Sequence, residues 1–469
     1  MANHVLRLVD TGVSGTVNLT DWADYSPQSP QIDALDYEPA GWQSGGERPL
    51  VTRRNVDETC RVWFDYSTTA AIRGTINYIE QMFARAEHRQ STGMSAPVYV
   101  QIDPGTSGTV YRSELLSGRV ELDPDALKNP QWDNTRIGAT LHWRRRWYWE
   151  GPETTLTLAN GHGTATTGVT VYNHNYEGGG TVRNNWVTLT DAGSNPGGVV
   201  PSPIKLRLTN NSGTSISNVW LAHNAWSYQM STGHTLECES ASGGGTATAD
   251  ATCSGGQYLN YALGTAVYAP FYWSLSPTLL SYFAGNWVTA LLRFRTATVA
   301  NAIKYYIGVY LDGAFLYPLW TSTPRVISEA SNTINLGSFR LPPGAAKATG
   351  GTIAYQAMRL AVQGISNTGW AFAIQPDVLM LLPSDSFRQQ TTLGAGSFFT
   401  ATRTIDDMIT GDIYNDAAGT AVTNHITPLG GDIELWPARA QRLYCLFGGL
   451  ATHGTVMAEA WYRPRRLTF

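Results

Sequence analysis

The chain is poor in charge and in cysteine. Only 14% of its 469 residues are Asp, Glu, Lys or Arg, against roughly a quarter in ordinary soluble domains. The net charge of -4 provides no long-range attraction for nucleic acid, so no sequence-specific nucleic-acid partner is expected. Low charge combined with many aromatic residues is typical of β-sandwich cores and also of subunit interfaces, and composition alone does not separate the two.

The four cysteines form no Cys-x-x-Cys pair, and no Cys/His cluster has zinc spacing. Cys238 and Cys253 flank a glycine-rich segment and could meet across a hairpin, although reduced thiols are favoured in a bacterial cytosol. Residues 1–10 carry no apolar signal-peptide core. No run of the sequence approaches the ~18 apolar residues that cross a membrane. We therefore expect the chain to fold in a cytoplasm and not to insert into a membrane.

Catalytic motifs are also missing. The sequence has no GxSxG, P-loop, HExxH or EF-hand pattern. The adjacent carboxylates of Asp406 and Asp407 would point to opposite faces of a strand, so they do not suit a paired acid and base. We expect no enzymatic activity, no cofactor and no metal site.

One segment has helical periodicity. Ser67, Thr68 and Thr69 can cap the first free N–H groups of a helix, and Gly93 follows its last turn. The spacing predicts a helix over residues 68–88. Its apolar stripe consists of Ile72, Ile76, Ile79 and Phe83.

The rest of the chain alternates polar and apolar residues with the period of two that marks β-strands. Short strands recur between Gly, Asn and Pro turns, and no second helix is evident after residue 153. The predicted fold class is therefore mainly β. It comprises an N-terminal β-sandwich with one flanking α-helix, followed by β-sandwich or jelly-roll domains.

Two basic clusters stand among aromatic residues. Arg144, Arg145 and Arg146 follow Trp143 in a strand-like segment, whereas Arg465 and Arg466 lie near the last residue. Such clusters can bind phosphate, but more often they form ion pairs and cation–π contacts. We predict that these five arginines contribute to a subunit interface.

Aromatic residues concentrate in the middle of the chain, and most of them should be core. Tyr317 and Trp320 flank a proline in a predicted loop, and Trp370 follows a turn-like Asn-Thr-Gly sequence. These three rings are the candidates for stacking on the C–H faces of a glycan. Burial inside the chain or against neighbouring subunits is the competing interpretation.

The order of strands, helix, strands, the exit "WRRRWYWEGPE" and a jelly roll resembles the distal tail proteins of siphophages, the phages with long non-contractile tails. The segment "NPGGVVPSPIKLRLTNNSGTSISNVWL" is similar to the opening of their second domain. The ending "DIELWPARAQRLYCLFGG…AEAWYRPRRLTF" is similar to their closing strands. The resemblance covers residues 1–230 and 391–469.

The middle of the chain departs from that pattern. The series "TLECESASGG", "WVTALLRFRT", "NLGSFRLPPG" and "QPDVLMLLPSD" resembles a carbohydrate-binding module of the β-sandwich type. The two resemblances divide the chain into a ring-forming, tail-tube-like domain at 1–152 and a galectin-like jelly roll at 153–230 and 391–469. A carbohydrate-binding-module-like jelly roll at 231–390 is inserted into the latter.

The resemblance implies a virion protein of the tail tip, made in the cytoplasm of the host bacterium. It would form a homohexameric ring that links the tail tube to tail-hub, fibre or receptor-binding proteins, with weak binding to host surface glycan. Two alternatives remain open at this point. One is a tail-associated glycan depolymerase, and the other is a main tail-tube protein or another virion protein of the same fold.

Overall fold

The computed structural model of the chain is mainly β, which confirms the fold class. Among the residues that it describes there is one α-helix, α1, over Thr69–Thr92. The described residues are 5–19, 23–24, 55–65, 68–92, 95–104, 109–123, 136–160, 163–165, 167–171, 186–191, 196–211, 213–216, 218–224, 235–275, 287–310, 318–328, 332–340, 359–384, 388–390, 393–401, 404–405, 408–409, 413–418, 420–422, 426–428, 433–438, 441–448 and 456–467.

The strands up to the end of the predicted first domain are β1 Val5–Asp10, β2 Gly15–Asn18, β3 Ala23–Asp24, β4 Val56–Asp65, β5 Val98–Asp103, β6 Tyr111–Leu122, β7 Arg136–Arg145 and β8 Trp149–Glu150. The next group is β9 Thr154–Thr155, β10 Thr157–Asn160, β11 Gly163–Ala165, β12 Val169–Val171, β13 Trp186–Thr190, β14 Ser202–Asn210 and β15 Asn218–Asn224.

The strands of the middle segment are β16 Thr235–Glu237, β17 Thr246–Ala249, β18 Gln257–Leu263, β19 Ala269–Ser274, β20 Trp287–Phe294, β21 Ile303–Tyr310, β22 Pro318–Thr321, β23 Arg325–Val326, β24 Thr333–Arg340, β25 Arg359–Ser366, β26 Phe372–Ile374 and β27 Pro376–Pro383. Short 3-10 turns lie at Cys238–Ser240 and Ser254–Gly256. The last strands are β28 Arg388–Gln390, β29 Phe398–Ala401, β30 Thr404–Ile405, β31 Met408–Ile409, β32 Ile413–Asn415, β33 Ala421–Val422, β34 Ile426–Pro428, β35 Glu434–Leu435, β36 Gln441–Gly448, β37 Val456–Tyr462 and β38 Arg465–Arg466.

The first unit is a sheet in the order β2-β1-β5-β6-β7-β4-β3, to which β8 and β38 add at the side. Along β6 the neighbour changes from β5 to β7, and the register with β7 shifts between Leu115 and Ser117. Such irregularities bend a strand and let one sheet wrap around a core. Helix α1 packs against β6, and the shared core contains Phe64, Ile72 and Leu141.

The second unit is a sandwich of two sheets around its own core. One sheet has the order β11-β10-β13-β36-β15-β28-β34, and the other has the order β12-β37-β14-β29-β32-β33. The sequence of β14 shows why this segment forms a strand of the sandwich. Ile204, Leu206 and Leu208 are buried, whereas the alternate residues Lys205 and Arg207 point away from the core and lie over the Trp461 ring.

The third unit has the strand orders β16-β27-β20-β24, β17-β18-β26 and β19-β25-β21-β22, around a core that includes Phe271, Trp273 and Ile307. The chain enters this unit through β16 and leaves it through β27, and these two strands pair with each other. Strand β15, which precedes this unit in the chain, and strand β28, which follows it, also pair with each other in the second unit. The entry and exit points therefore lie together at one place, the geometry that permits an insertion.

Strands after residue 391 pair with strands before residue 230, as β14 with β29 and β37, and β13 with β36. Strand β28 already belongs to the second unit at Arg388–Gln390, slightly before the predicted boundary at 391. Independent folding of the predicted domains stays a prediction.

The second and third units are in apolar contact. Trp220, Tyr444 and Leu446, which lie opposite the core-facing residues of β15 and β36, form one buried cluster with Leu291 and Met380 from the third unit. A buried apolar joint of this kind resists hinge motion between the units.

Candidate functional site

The five arginines predicted for an interface lie at or near the junction of the first and second units. This "arginine junction" consists of Arg144, Arg145, Arg146, Arg465 and Arg466. Strand β38 brings the last two beside β8, where Arg465 pairs with Glu150 and Arg466 with Trp149 in the strand register.

Arg145 is wholly buried. Its Nε donates to Glu58 Oε2 at 2.9 Å and its Nη2 to Glu58 Oε1 at 2.8 Å. The indole N–H of Trp143 donates to the same carboxylate at 3.0 Å, and the guanidinium lies 4.4 Å from the centre of the Trp149 ring. This two-pronged pairing satisfies both buried charges.

The neighbouring arginines are more exposed. Arg144 lies 3.7 Å from Asp57 on the open face of the sheet. Arg146 donates to Glu114 at 3.0 Å, and Arg89 at the end of α1 binds the other oxygen of that carboxylate at 2.7 Å. Glu114 therefore ties the last turn of the helix to the segment that follows β7.

Arg465 joins the two units. Its Nε and Nη2 donate to Glu150 Oε1, both at 3.1 Å, and its guanidinium lies 4.0 Å from the centre of the Tyr148 ring. Its Nη1 donates to the carbonyl of Pro201, in the second unit, at 3.3 Å. Arg466 is exposed and lies over the Tyr111 ring at 5.7 Å.

Arg145 is wholly buried in its own chain and leaves no side-chain surface free for a neighbour, and its predicted contribution to a subunit interface is untested. For Arg144, Arg146, Arg465 and Arg466 the structure gives partners within the chain, and their contribution to a subunit interface stays a prediction. In particular, Arg465 connects two units of one chain.

The three aromatic candidates are separated in the structure. Tyr317 lies outside the described residues. Trp320 is partly buried, and its ring stacks on Phe339 with centroids 5.2 Å apart, so it packs against the core of the third unit. Trp370 has 69% of its surface exposed. Of the two described rings, Trp370 is therefore the one available to a ligand.

A buried polar cluster in the third unit has no counterpart in the sequence predictions. Asp377 accepts from Arg293 at 2.7 Å and from the backbone N–H of Ser254 at 2.9 Å. The Ser254 hydroxyl donates to Glu237 at 2.9 Å. Burial raises the pKa of Glu237 to about 8, and the nearby Glu239 raises it further. Burial also raises the pKa of Asp377, although Arg293 opposes that shift.

The carboxylates of this cluster come from β16 and β27, far apart in sequence, so only the strand pairing brings them together. In "QPDVLML", Asp377 directly precedes an unbroken apolar run, and a carboxylate at the start of such a buried strand is the one local signal. Beside the cluster, Cys238 and Cys253 are both buried and both free. Burial raises the pKa of each thiol, so both are protonated near neutral pH.

Within the described part of the chain, no group of three or more His, Cys, Asp or Glu side chains has the arrangement of a metal site. In the same residues, no helix has both the length and the apolar character needed to cross a membrane.

No family model matches the chain, and no curated protein matches it. Among solved structures it is similar to the Dit protein of phage SPP1, described as a paradigm of the hub adsorption apparatus in phages that infect Gram-positive bacteria, with 9% identity, 98% of this chain and 99% of that chain covered, and a TM-score of 0.26. The baseplate of phage P2 in its activated conformation with Ca gives 7% identity, 98% coverage of both chains and a TM-score of 0.27. A protein crystallised with a xylogluco-oligosaccharide gives 10% identity, coverage of 60% of this chain and 75% of that chain, and a TM-score of 0.24. Identities of 7–10% and TM-scores of 0.24–0.27 do not assign this chain to the family of any of these proteins.

Proposed function

We propose that the chain is a structural protein of a phage tail tip, a distal tail protein that closes into a homohexameric ring and connects the tail tube to the adhesion apparatus. One observation carries the proposal beyond the sequence resemblance. The first unit contains strands from both ends of the chain, because β38 pairs with β8. The outer sandwiches are thus attached to the first unit at two places, an arrangement that suits a scaffold under mechanical load.

Ring closure needs two different surfaces that fit each other on neighbouring copies. In the described sheet of the first unit, β2 and β3 are the end strands. End strands can be satisfied by pairing with a neighbouring chain. Tail-tube, tail-hub and fibre or receptor-binding proteins would be the further partners, with the protein made in the host cytoplasm and located at the virion tail tip.

The test is the oligomeric state and location of the full chain. Mass photometry and negative-stain microscopy of the purified protein should give a closed ring, and antibody labelling should mark only the tail tip of virions. A strictly monomeric protein that is also absent from purified tails would contradict the proposal. Labelling along the whole tail would instead support a main tail-tube protein.

We further propose that the chain is not an enzyme and needs no cofactor. The competing function, a glycan depolymerase, requires two carboxylates about 5–10 Å apart in an open groove. The two carboxylates of the buried polar cluster are held inside the third unit, Glu237 by the Ser254 hydroxyl and Asp377 by Arg293. Release of reducing ends from host polysaccharide by the purified protein would support the depolymerase.

Weak glycan binding by the third unit is a second proposed function. It rests on Trp370, whose large ring is held in water on a turn rather than packed in the core. A single stacked ring contributes about 1 kcal/mol, so one copy should bind weakly and several copies on a ring should bind more tightly through avidity.

A further inference from the structure

Three loops of the third unit expose apolar side chains to water. Val267 follows β18, Val299 follows β20, and Trp370 lies between β25 and β26, with exposures of 74%, 68% and 69%. Large exposed apolar residues are unremarkable when they are scattered singly. Here they occur on loops that are hydrogen-bonded to each other.

The hydrogen bonds join the three loops directly. The backbone N–H of Ser366 donates to the carbonyl of Gly264 at 2.9 Å, and that of Asn367 donates to Ala302 at 2.8 Å. The side-chain amide of Asn367 also donates to the carbonyl of Asn301 at 2.9 Å. We call residues 264–267, 296–301 and 366–371 the "loop tip".

The turn that carries Trp370 is locally fixed. The Ser366 hydroxyl donates to the carbonyl of Trp370 at 2.6 Å, and it also accepts from the backbone N–H of Thr368 at 3.3 Å. Gly369 has a φ of +85°, which glycine adopts without strain. The ring is therefore presented on an ordered turn, which reduces the entropy lost when a ligand binds.

The loop tip contains no Asp, Glu, Lys, Arg or His. Its residues are glycine and residues with small apolar, hydroxyl or amide side chains, together with one indole. Recognition of phosphate, sulfate or uronate groups normally requires cationic partners, and the loop tip supplies none of its own. A ligand that fits must be uncharged, with apolar C–H faces for the indole and hydroxyl groups for the rim.

We propose that the loop tip binds neutral carbohydrate, with Trp370 as the stacking platform and Val267 and Val299 as its apolar flanks. This inference rests on the proposed glycan binding and narrows it to uncharged sugars. A stable protein partner would need about 800 Å² on each side, whereas one ring on three short loops suits a ligand of a few sugar units.

Affinity electrophoresis of the full-length protein tests this, because retardation in a polysaccharide-containing gel detects weak binding. The gels contain neutral polymers (glucan, galactan and mannan) or acidic ones (polygalacturonate and alginate). The wild-type protein should be retarded by at least one neutral polymer and by neither acidic one. Trp370→Ala should weaken that binding by about tenfold.

The matched control is Trp287→Ala. Trp287 is also an exposed tryptophan of the third unit, at 52%, but it lies at the start of β20, where it pairs with Arg340. The control should be retarded as the wild-type protein is. A melting temperature equal to that of the wild-type protein shows that each variant is folded.

The other outcomes are distinct. Retardation by acidic polymers alone overturns the neutral class but leaves glycan binding standing. Retardation by neutral polymers that survives Trp370→Ala places the sugar site elsewhere on the chain. No retardation by any polymer removes the proposed glycan binding together with this inference. Self-association in sedimentation velocity that Trp370→Ala abolishes would make the loop tip a contact between copies of the chain.

Discussion

Arg144, Arg145 and Arg146 are adjacent in sequence, yet each meets a different environment. Every second residue of β7 lies on its buried face, namely Ile137, Ala139, Leu141 and Trp143. The next residue in this alternation is Arg145, which therefore lies on the same face. Glu58 likewise continues the buried alternation of Cys60, Val62 and Phe64 in β4. The pattern therefore contained the signal for a buried pair, but the partners are 87 residues apart, and only the pairing of β4 with β7 makes them meet.

Removal of one charge from this pair should be costly. We expect Arg145→Ala to lower the free energy of unfolding by about 3–5 kcal/mol, because it leaves the Glu58 carboxylate buried without its cation. Arg144→Ala is the matched control, since the Arg144–Asp57 pair is exposed and should contribute at most about 1 kcal/mol. Urea unfolding of both variants measures the difference. Equal effects would contradict the assignment of Arg145 to the core.

Glu237 should make stability depend on pH. Its pKa is raised by burial from the usual 4.5 to about 8, so the folded state binds the proton more tightly than the unfolded state does. The stabilisation from this group is complete below about pH 4.5 and is lost as pH rises through about 8. The urea concentration at the midpoint of the third-unit transition should therefore decrease as pH rises from about 4.5 to about 8.

The matched variant for that experiment is Glu237→Gln, which keeps the shape and removes the titration. It should flatten the fall of the midpoint with pH, whereas the charged neighbours Glu239 and Asp377, which raise the pKa of Glu237, and Arg293, which lowers it, remain in place. The same dependence of the midpoint on pH in the wild-type protein and in Glu237→Gln would contradict the assigned role of Glu237.

At the scale of elements, the helix was the most predictable part. The sequence predicts residues 68–88, and α1 spans Thr69–Thr92. Thr68 acts as the cap, accepting from the N–H of Ala71 at 3.2 Å. The additional turn is held by the ion pair between Arg89 and Glu114 at 2.7 Å, a tertiary contact that helical periodicity does not reveal.

Loop aromatics were less predictable. Trp320 lies near a proline, so local sequence favours an exposed position, yet its ring stacks on Phe339 from β24. The exposed face of Trp370 follows from a turn that its own neighbours specify, namely Ser366, Thr368 and Gly369. Exposure could be predicted where it is set locally, but not where a distant strand decides it.

Two glycines of the first unit should respond to alanine in opposite ways. A Cβ at Gly118 would lie 2.4 Å from the ring of Phe83 in α1, so Gly118→Ala should cost about 1–3 kcal/mol through overpacking. Gly74 lies on the exposed face of α1 with nothing within 4 Å, and Gly74→Ala should stabilise by about 0.5–1 kcal/mol. Thermal and urea unfolding measure both. Destabilisation by Gly74→Ala would contradict an exposed position in α1.

At the scale of the whole molecule, three cores are connected by two different joints. The second and third units meet through the apolar cluster around Trp220 and Met380. The first and second units meet through β38 and polar contacts, among which the carbonyl of Pro464 accepts from the N–H of Gly151 at 2.9 Å. Polar joints are more sensitive to the loss of a single side chain, because the partner group is left unsatisfied.

Arg465 should therefore control the coupling between the first and second units. Arg465→Ala removes both hydrogen bonds to Glu150 and the one to Pro201, at an expected cost of about 1–3 kcal/mol. Calorimetry of the full chain should show the transition of the first unit moving to lower temperature and separating from the others. Arg466→Ala changes an exposed residue of the same strand and should give the same calorimetric profile as the wild-type protein. If the two variants melt alike, Arg465 does not couple the units, and the joint depends on the backbone pairing of β38 with β8 instead.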